Sequence, residues 1–356
     1  MTIDWSAELS KLSYVHQKPA LNGLLKSLPE DFNVTEVMDV VPSGEGEHYW
    51  LDISKTKCNT EQVAKALAKF SNVSPRDIGY SGMKDFFAET RQWFSVWKPK
   101  GGQPAWQEFK TEGVVINQVA KHSRKIKRGT HRANKFSIII RDIDGDLSEL
   151  ERRLSHVKRD GVPNYFGAQR FGRNTDNMRQ AIDFFSGDKK IKNRNLRGIL
   201  LSSARSWLFN QVLSARVSQG SWQQLHEGEP ANLHATNSVF QTKGDGEVAR
   251  RLAEFDIHPT APMWGNGVNE VMAACPELVE WELSLMSPYS ILQQGLENAK
   301  LDYQRRALRS VAKDMEWSIA PRFDNAGSKT DCLALSFELI RGQFATSVLR
   351  ELVNVE

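Results

Sequence analysis

Gly82-Met83-Lys84-Asp85-Phe86-Phe87-Ala88-Glu89-Thr90-Arg91-Gln92 is the stretch from which the rest of the chain can be read. Ile78-Gly79-Tyr80 before it is strand-like, and Trp93 to Trp97 after it reads as another strand, so the residues between look like a loop presenting a carboxylate. An Asp beside a Lys is held ionised by the neighbouring charge, while burial of the same site works against ionisation. Such a carboxylate can serve as nucleophile or base. Gly-x-Lys-Asp is also the composition of an ordinary turn, so its meaning depends on its surroundings.

Upstream, Phe32-Asn33-Val34-Thr35-Glu36-Val37 alternates apolar with polar residues as a half-buried strand does, and Tyr49 to Ile53 does the same. Asn59 and Thr60 can cap a helix on which Val63, Ala66, Leu67 and Phe70 recur at helical spacing before Pro75 interrupts it. Downstream, Phe136 to Ile140 reads as a strand, and Ser148 with Glu151 forms a capping-box pattern ahead of Leu150, Leu154 and Val157. These elements define a mixed α+β beginning. The middle differs, with helical patterns at Met178 to Phe185 and Ile199 to Val217, a Gly- and Pro-punctuated section from Gly228 to Gly267, then helices to about Val311. A strand from Leu333 to Leu339 and a helix from Thr346 to Val353 return to the first style.

A chain of 356 residues exceeds one ordinary core. The simplest topology is an insertion, with residues 1–158 and 319–356 forming one domain and 159–318 the other. With 40% hydrophobic and 25% charged residues, the composition is globular and not that of a disordered chain. No apolar run approaches the roughly 18 residues that span a bilayer, and Met1 to Trp5 lack a signal-peptide pattern, so a cytoplasmic location is expected. Cys58, Cys275 and Cys332 are far apart and have no zinc-ligand spacing, which argues against a disulfide frame or structural zinc.

The net charge of +4 is modest, but its distribution is not even. Lys121, Arg124, Lys125, Lys127, Arg128, Arg132, Lys135 and Arg141 fall within 21 residues that contain no acid. Such a run neutralises phosphates through counterion release, although a solvated basic loop has the same composition. A second cluster holds Lys189, Lys190, Lys192, Arg194 and Arg197, and Asn164-Tyr165-Phe166-Gly167-Ala168-Gln169-Arg170-Phe171-Gly172-Arg173 mixes aromatics with Arg and Gly. Stacking faces beside guanidinium groups suit RNA; Tyr165, Phe166 and Phe171 taken singly read equally as core.

Gly82-x-Lys84-Asp85-x-x-Ala88-x-Thr90-x-Gln92 resembles the signature of the TruD family of tRNA pseudouridine synthases. Four further segments agree in order. They are Lys26-x-x-Pro29-Glu30-Asp31-Phe32-x-Val34-x-Glu36 with Gly44-x-Gly46-Glu47-His48 and Asn59-Thr60; Asn134-x-Phe136 with Arg141; Pro163-Asn164-Tyr165-Phe166-Gly167-x-Gln169-Arg170-Phe171-Gly172; and Gly342-x-Phe344-Ala345-Thr346 with Arg350-Glu351-Leu352. Ile340 lies where some relatives have Pro.

The resemblance implies a V-shaped, two-lobed α+β protein. A pseudouridine synthase catalytic domain, a mixed sheet flanked by helices, would carry an inserted α/β domain specific to the family, with RNA in the cleft between. It implies uridine 13 in the D arm of tRNA as substrate, Asp85 as catalytic carboxylate, and a pocket of Phe32, Asn134, Phe136 and Phe344. Lys26 or Lys84 would pair with Asp85, and Arg124, Lys125, Lys127, Arg128, Arg132, Arg170 and Arg173 would contact RNA. Isomerisation needs no redox change, so no cofactor and no metal are expected, in keeping with the lack of a phosphate loop, dinucleotide fingerprint or zinc-deaminase pattern. A monomer acting without an obligate protein partner or a membrane is expected. Two other classes remain at this point: a noncatalytic RNA-binding or RNA-folding protein, and an RNA methyltransferase, for which no Gly-rich strand-to-helix loop is found.

Overall fold

The computed structural model describes residues 3–243, 246–267, 275–323 and 329–355. Helix α1 (Trp5–Ser10) is followed by strands β1 (Asn22–Leu25), β2 (Phe32–Val37) and β3 (His48–Thr56), helix α2 (Thr60–Ser71), strands β4 (Ile78–Tyr80), β5 (Glu89–Trp97), β6 (Val114–His122) and β7 (Ala133–Asp144), and helix α3 (Leu147–Asp160). Next come β8 (Val162–Pro163), α4 (Asp176–Phe185), α5 (Arg194–Ser218), β9 (Pro230–Leu233), β10 (Val239–Gln241), α6 (Glu247–Ala253) and β11 (Ile257–Met263). After residues 268–274, which lie outside the description, follow α7 (Pro276–Met286), α8 (Ser290–Asn298), β12 (Gln304–Ala307), β13 (Arg309–Ser310), β14 (Lys313–Phe323), β15 (Lys329–Ile340), α9 (Ala345–Leu352) and β16 (Asn354–Val355).

Two compact units share these elements: one comprises Pro19–Arg152, Ala312–Gly342 and Leu352–Glu356, the other Met1–Lys18, Arg153–Val311 and Gln343–Glu351. The first unit is built on one sheet in the order β14-β15-β7-β2-β5-β3-β6, with β1 joining β7 and β16, and β4 joining β5. The pairs β2–β5 and β1–β16 are parallel and the rest antiparallel, which makes the sheet mixed. Helix α2 covers part of it. Val63, Ala64, Leu67 and Ala68, recurring at helical spacing, pack into one cluster with Leu51, Ile53, Phe94 and Val96 of the strands. Asn72 ends the helix in the left-handed region at φ 52°.

In the second unit α5 supplies the central core, with Ala204, Trp207, Leu208, Phe209, Val212 and Leu213 buried among residues of α4, α7 and α8. A sheet in the order β10-β9-β11-β12 completes it. The section from Gly228 to Gly267 thus supplies three of the four strands of this sheet, with α6 between β10 and β11. No helix among the described residues is long and apolar enough to cross a membrane.

The boundaries differ from a simple insertion of 159–318. The first eighteen residues group with the middle of the chain, because Trp5 meets Trp207 edge-on at 4.9 Å and, with Leu12, joins the same cluster. Residues 343–351 also group there: Ser347 Oγ donates to Tyr165 O at 2.8 Å, and the Arg350 guanidinium lies 4.7 Å from the Tyr165 ring centre. The return to the first unit begins at Ala312, one residue before β14, and not at residue 319. Helix α3 is capped by Asp146, whose Oδ1 accepts from Ser148 N at 2.8 Å, so Ser148 is the capped residue and not the cap.

Candidate active site

Strands β4 and β5 pair antiparallel with Tyr80 opposite Phe94, and the loop between them carries Asp85. Gly79 is required where this hairpin meets the basic segment: a Cβ there would lie 2.2 Å from Ile126 O and 2.5 Å from Ser95 Oγ. The loop is fastened along its length. Gly129 N donates to Ser81 O at 2.9 Å, Gln92 Nε2 to Gly82 O at 3.1 Å, and Lys84 N to Thr60 Oγ1 at 3.0 Å. Thr60 in turn donates to Gln92 Oε1 at 3.0 Å, and Lys55 Nζ donates to the main-chain oxygen of Asp85 at 2.9 Å.

The two lysines expected near Asp85 have separate tasks. Lys26, in the left-handed region at φ 58°, places Nζ 2.6 Å from Asp85 Oδ2 and 4.1 Å from the centre of the Phe32 ring. Lys84 turns inward to Glu36, Nζ to Oε1 2.6 Å, with the side chains only 6% and 0% exposed. Glu36 also accepts from Trp93 N at 3.3 Å. The Asp85 side chain is 39% exposed, so a carboxylate with a cationic partner stands open to solvent on a loop anchored below by a buried ion pair. Met83, Phe86 and Phe87, around it in sequence, are exposed as well.

The antiparallel register of β2 and β7 sets Phe32 opposite Ile138, Val34 opposite Phe136 and Glu36 opposite Asn134. Directly opposed residues share a face, so Phe32, Glu36, Asn134 and Phe136 lie on the face that the Glu36–Lys84 pair ties to the Asp85 loop. Phe32 and Phe136 are buried and meet edge-on at 6.1 Å, and Phe136 stacks on Phe337 at 5.4 Å. Asn134 Nδ2 lies 3.3 Å from His131 Nε2, while its Oδ1 is buried with no hydrogen-bond partner. His131 Nδ1 makes a short contact to Ser81 Oγ, which also accepts from His131 N at 2.8 Å. Phe344 belongs to the other unit, half-buried with its ring 5.7 Å from Phe166.

The model of the tRNA pseudouridine synthase D (TruD) family matches residues 8–182 and 175–352. This chain belongs to the TruD family. It is 40% identical to the tRNA pseudouridine synthase D of Nitrosococcus oceani, with 97% of this chain and 94% of that one covered. The corresponding protein of Proteus mirabilis is 38% identical, with 98% and 96% covered. The solved structure of the putative tRNA pseudouridine synthase D of Methanosarcina mazei shares the fold, at TM-score 0.73 and 18% identity, with 98% of each chain covered.

For a TruD-family chain, the basic residues singled out by sequence divide by environment. Arg124, Lys127, Arg128 and Arg173 are exposed, and Arg128 lies over the Tyr80 ring at 4.8 Å. Lys125 is half-buried and donates to Arg76 O. Arg132 is already shared between Asp39 Oδ1 and Glu338 Oε1, each at 2.8 Å. Arg170 is half-buried between the rings of Phe166 and Phe344, at 5.4 and 5.9 Å, and burial lowers its pKa. The aromatics of that segment are core, with Tyr165, Phe166 and Phe171 all buried against Trp207 and its neighbours. The RNA-facing reading of those three rings is therefore replaced by the packing one.

Sequence reasoning missed Lys55, Ser81 and His131, and quoted Glu36 only as part of a motif. Lys55 is 1% exposed, and burial drives its pKa down to about 8. Burial raises the Glu36 carboxyl above its ordinary value against the opposing pull of Lys84. Burial, with Lys84 and Arg341 adding like charge, lowers His131 to about 4, which keeps its imidazole neutral near pH 7. A lysine in a strand pattern and a histidine in a basic run carry no local signal of these roles; only the tertiary neighbours create them.

Proposed function

We propose that this chain isomerises uridine to pseudouridine in tRNA, at position 13 of the D arm, with Asp85 as the catalytic carboxylate and no cofactor. The observation that carries the reading is the open Asp85 carboxylate, paired with Lys26 at 2.6 Å on a loop fastened from beneath. A group held this way is pre-positioned, so little reorganisation is needed when substrate arrives.

The reaction breaks the N1–C1′ bond, turns the uracil, and joins C5 to C1′. The electron pair of the broken bond leaves with N1, C5 supplies the pair for the new bond, C5 loses its proton to solvent and N1 ends protonated. Composition and oxidation state are unchanged. Asp85 assists either by bonding to C1′ and being displaced when C5 attacks, or by taking the C2′ proton to give a glycal and returning it as C5 joins C1′, and Lys26, 2.6 Å from Oδ2, holds the carboxylate in place in both cases. Phe32 and Phe136 are proposed to flank the extruded base, with Asn134 reading its edge. Exposed Met83, Phe86 and Phe87 suit the unstacked nucleotides on either side, and Arg124, Lys127, Arg128 and Arg173 suit phosphates.

Tritium release from tRNA labelled at uridine C5 tests the proposal, with Asp85→Asn as the paired variant. Release by the native chain, none by Asp85→Asn and unchanged tRNA affinity are expected. Tight binding with no release by either protein would leave a noncatalytic RNA-binding protein as the reading.

A further inference from the structure

Asn134 is held at one end only. Its amide Nδ2 faces His131 Nε2 at 3.3 Å, and its Oδ1, closed off from solvent, has no partner. A nitrogen-to-nitrogen contact needs one donor and one acceptor, and an amide nitrogen can only donate. His131 therefore accepts at Nε2 and carries its proton on Nδ1, where it meets Ser81 Oγ. The ring is suited to that single tautomer, because burial and the charges of Lys84 and Arg341 keep it neutral. Ser81 opens the loop that bears Asp85, and a Cβ added at Gly82 would lie within 3.7 Å of His131, Lys84 and Glu36 together. The relay thus runs from the catalytic loop to the amide opposite Glu36 on β2.

We infer that Ser81 and His131 form a positioning relay that locks the Asn134 amide with Oδ1 free to accept from uracil N3–H, making this contact the pivot on which the detached base turns. The inference rests on Asn134 reading the base edge. Its chemical basis is the geometry of the isomerisation. Moving the attachment from N1 to C5 amounts to a half-turn of the ring about the axis through N3 and C6, which exchanges O2 with O4 but leaves N3 in place. A hydrogen bond to N3–H survives that turn, whereas one to O2 or O4 has to be exchanged. The same acceptor discriminates, since neutral cytosine presents a lone pair at N3 where uracil presents a proton. Because Oδ1 is shielded in the free chain, base entry parts the side chains over it and supplies the missing donor.

A double-mutant cycle on kcat/KM for tritium release tests this, using His131→Leu, Asn134→Ala and the pair. Asn134→Ala is expected to lower kcat/KM by about tenfold, the size of one neutral hydrogen bond, and His131→Leu by a comparable factor. The pair should be no worse than Asn134→Ala alone, since His131 acts through the amide. His131→Gln, whose Oε1 can take the place of Nε2, should restore most of the loss and guards against a mere folding defect. A transcript with cytidine at the target should compete better against His131→Leu than against the native chain. Multiplicative losses in the double variant, or no rescue by His131→Gln, would overturn the relay while sparing the role of Asn134. Full turnover by Asn134→Ala would remove both.

Discussion

Replacing Lys84 by Met removes the cation from a pair in which Glu36 is wholly buried, and the structure sets the size and pH dependence of the effect. Glu36 would keep one donor, Trp93 N at 3.3 Å, which cannot compensate a buried negative charge. The carboxyl already titrates above its ordinary value because of burial, and Lys84 is the principal influence opposing that rise. Without Lys84 it takes up a proton on folding. An unfolded Glu titrates near ~4.3, so holding it neutral at pH 7 costs about 2.7 × 1.36, or about 4 kcal/mol, and at pH 5 about 1 kcal/mol. The sign follows from a folded-state pKa raised above the unfolded one: stability is retained below the unfolded value and lost as pH rises. Urea unfolding followed by tryptophan fluorescence at both pH values, always as the difference from the native chain, measures this. The double variant Lys84→Met/Glu36→Gln should recover most of the loss at pH 7, because no charge is then stranded. A loss under about 1 kcal/mol at pH 7, or an equal loss at both pH values, would refute the idea that this pair anchors the Asp85 loop.

His131 titrates at about 4 when folded and near ~6.5 when unfolded, so its contribution to stability is complete above that unfolded value and is lost as pH falls toward 4. The loss should reach about 3 kcal/mol and be absent from the profile of His131→Gln; comparing the two proteins also subtracts His258, which burial and Arg309 drive down to about 2 in the other unit. Exposed Lys127 and Arg128, each changed to Ala, should weaken tRNA binding and reduce the slope of log affinity against log salt by ~1 or less per residue. Arg132→Ala should change that slope less, because Asp39 and Glu338 already neutralise the guanidinium; equal slopes for all three variants in salt-titrated binding would count against the division.

Periodicity was readable wherever one face of an element is buried. Phe32–Val37 forms a strand with the same limits as its alternation suggests, and α2 follows Val63, Leu67 and their neighbours. The misses have separate causes. In Val114–His122 the apolar residues are adjacent, Val114-Val115-Ile116 and Val119-Ala120, so no alternation marks the strand, whereas in Lys313–Phe323 only the five residues Met315 to Ile319 alternate, directly after charged Lys313 and Asp314. Trp5 and Leu12 are too few to announce that the chain's beginning packs with Trp207, two hundred residues later. The aromatic run at Tyr165–Phe171 had the composition of an RNA surface and the fate of a core, since composition does not reveal which way a ring faces.

The sequence by itself determined the family and the α+β class, and it singled out Asp85 as the candidate carboxylate, because the Gly82–Gln92 signature and four ordered companions are properties of residue identity and order. The tertiary structure decided which lysine serves Asp85, since Lys26 and Lys84 are equally cationic on paper and only the approach of β2 gives Lys84 a buried partner in Glu36. It likewise brought Lys55, Ser81 and His131 to the site, and set their donors and acceptors. Hydrogen bonding and desolvation depend on distances between residues far apart in the chain, and those distances exist only once the sheet has formed.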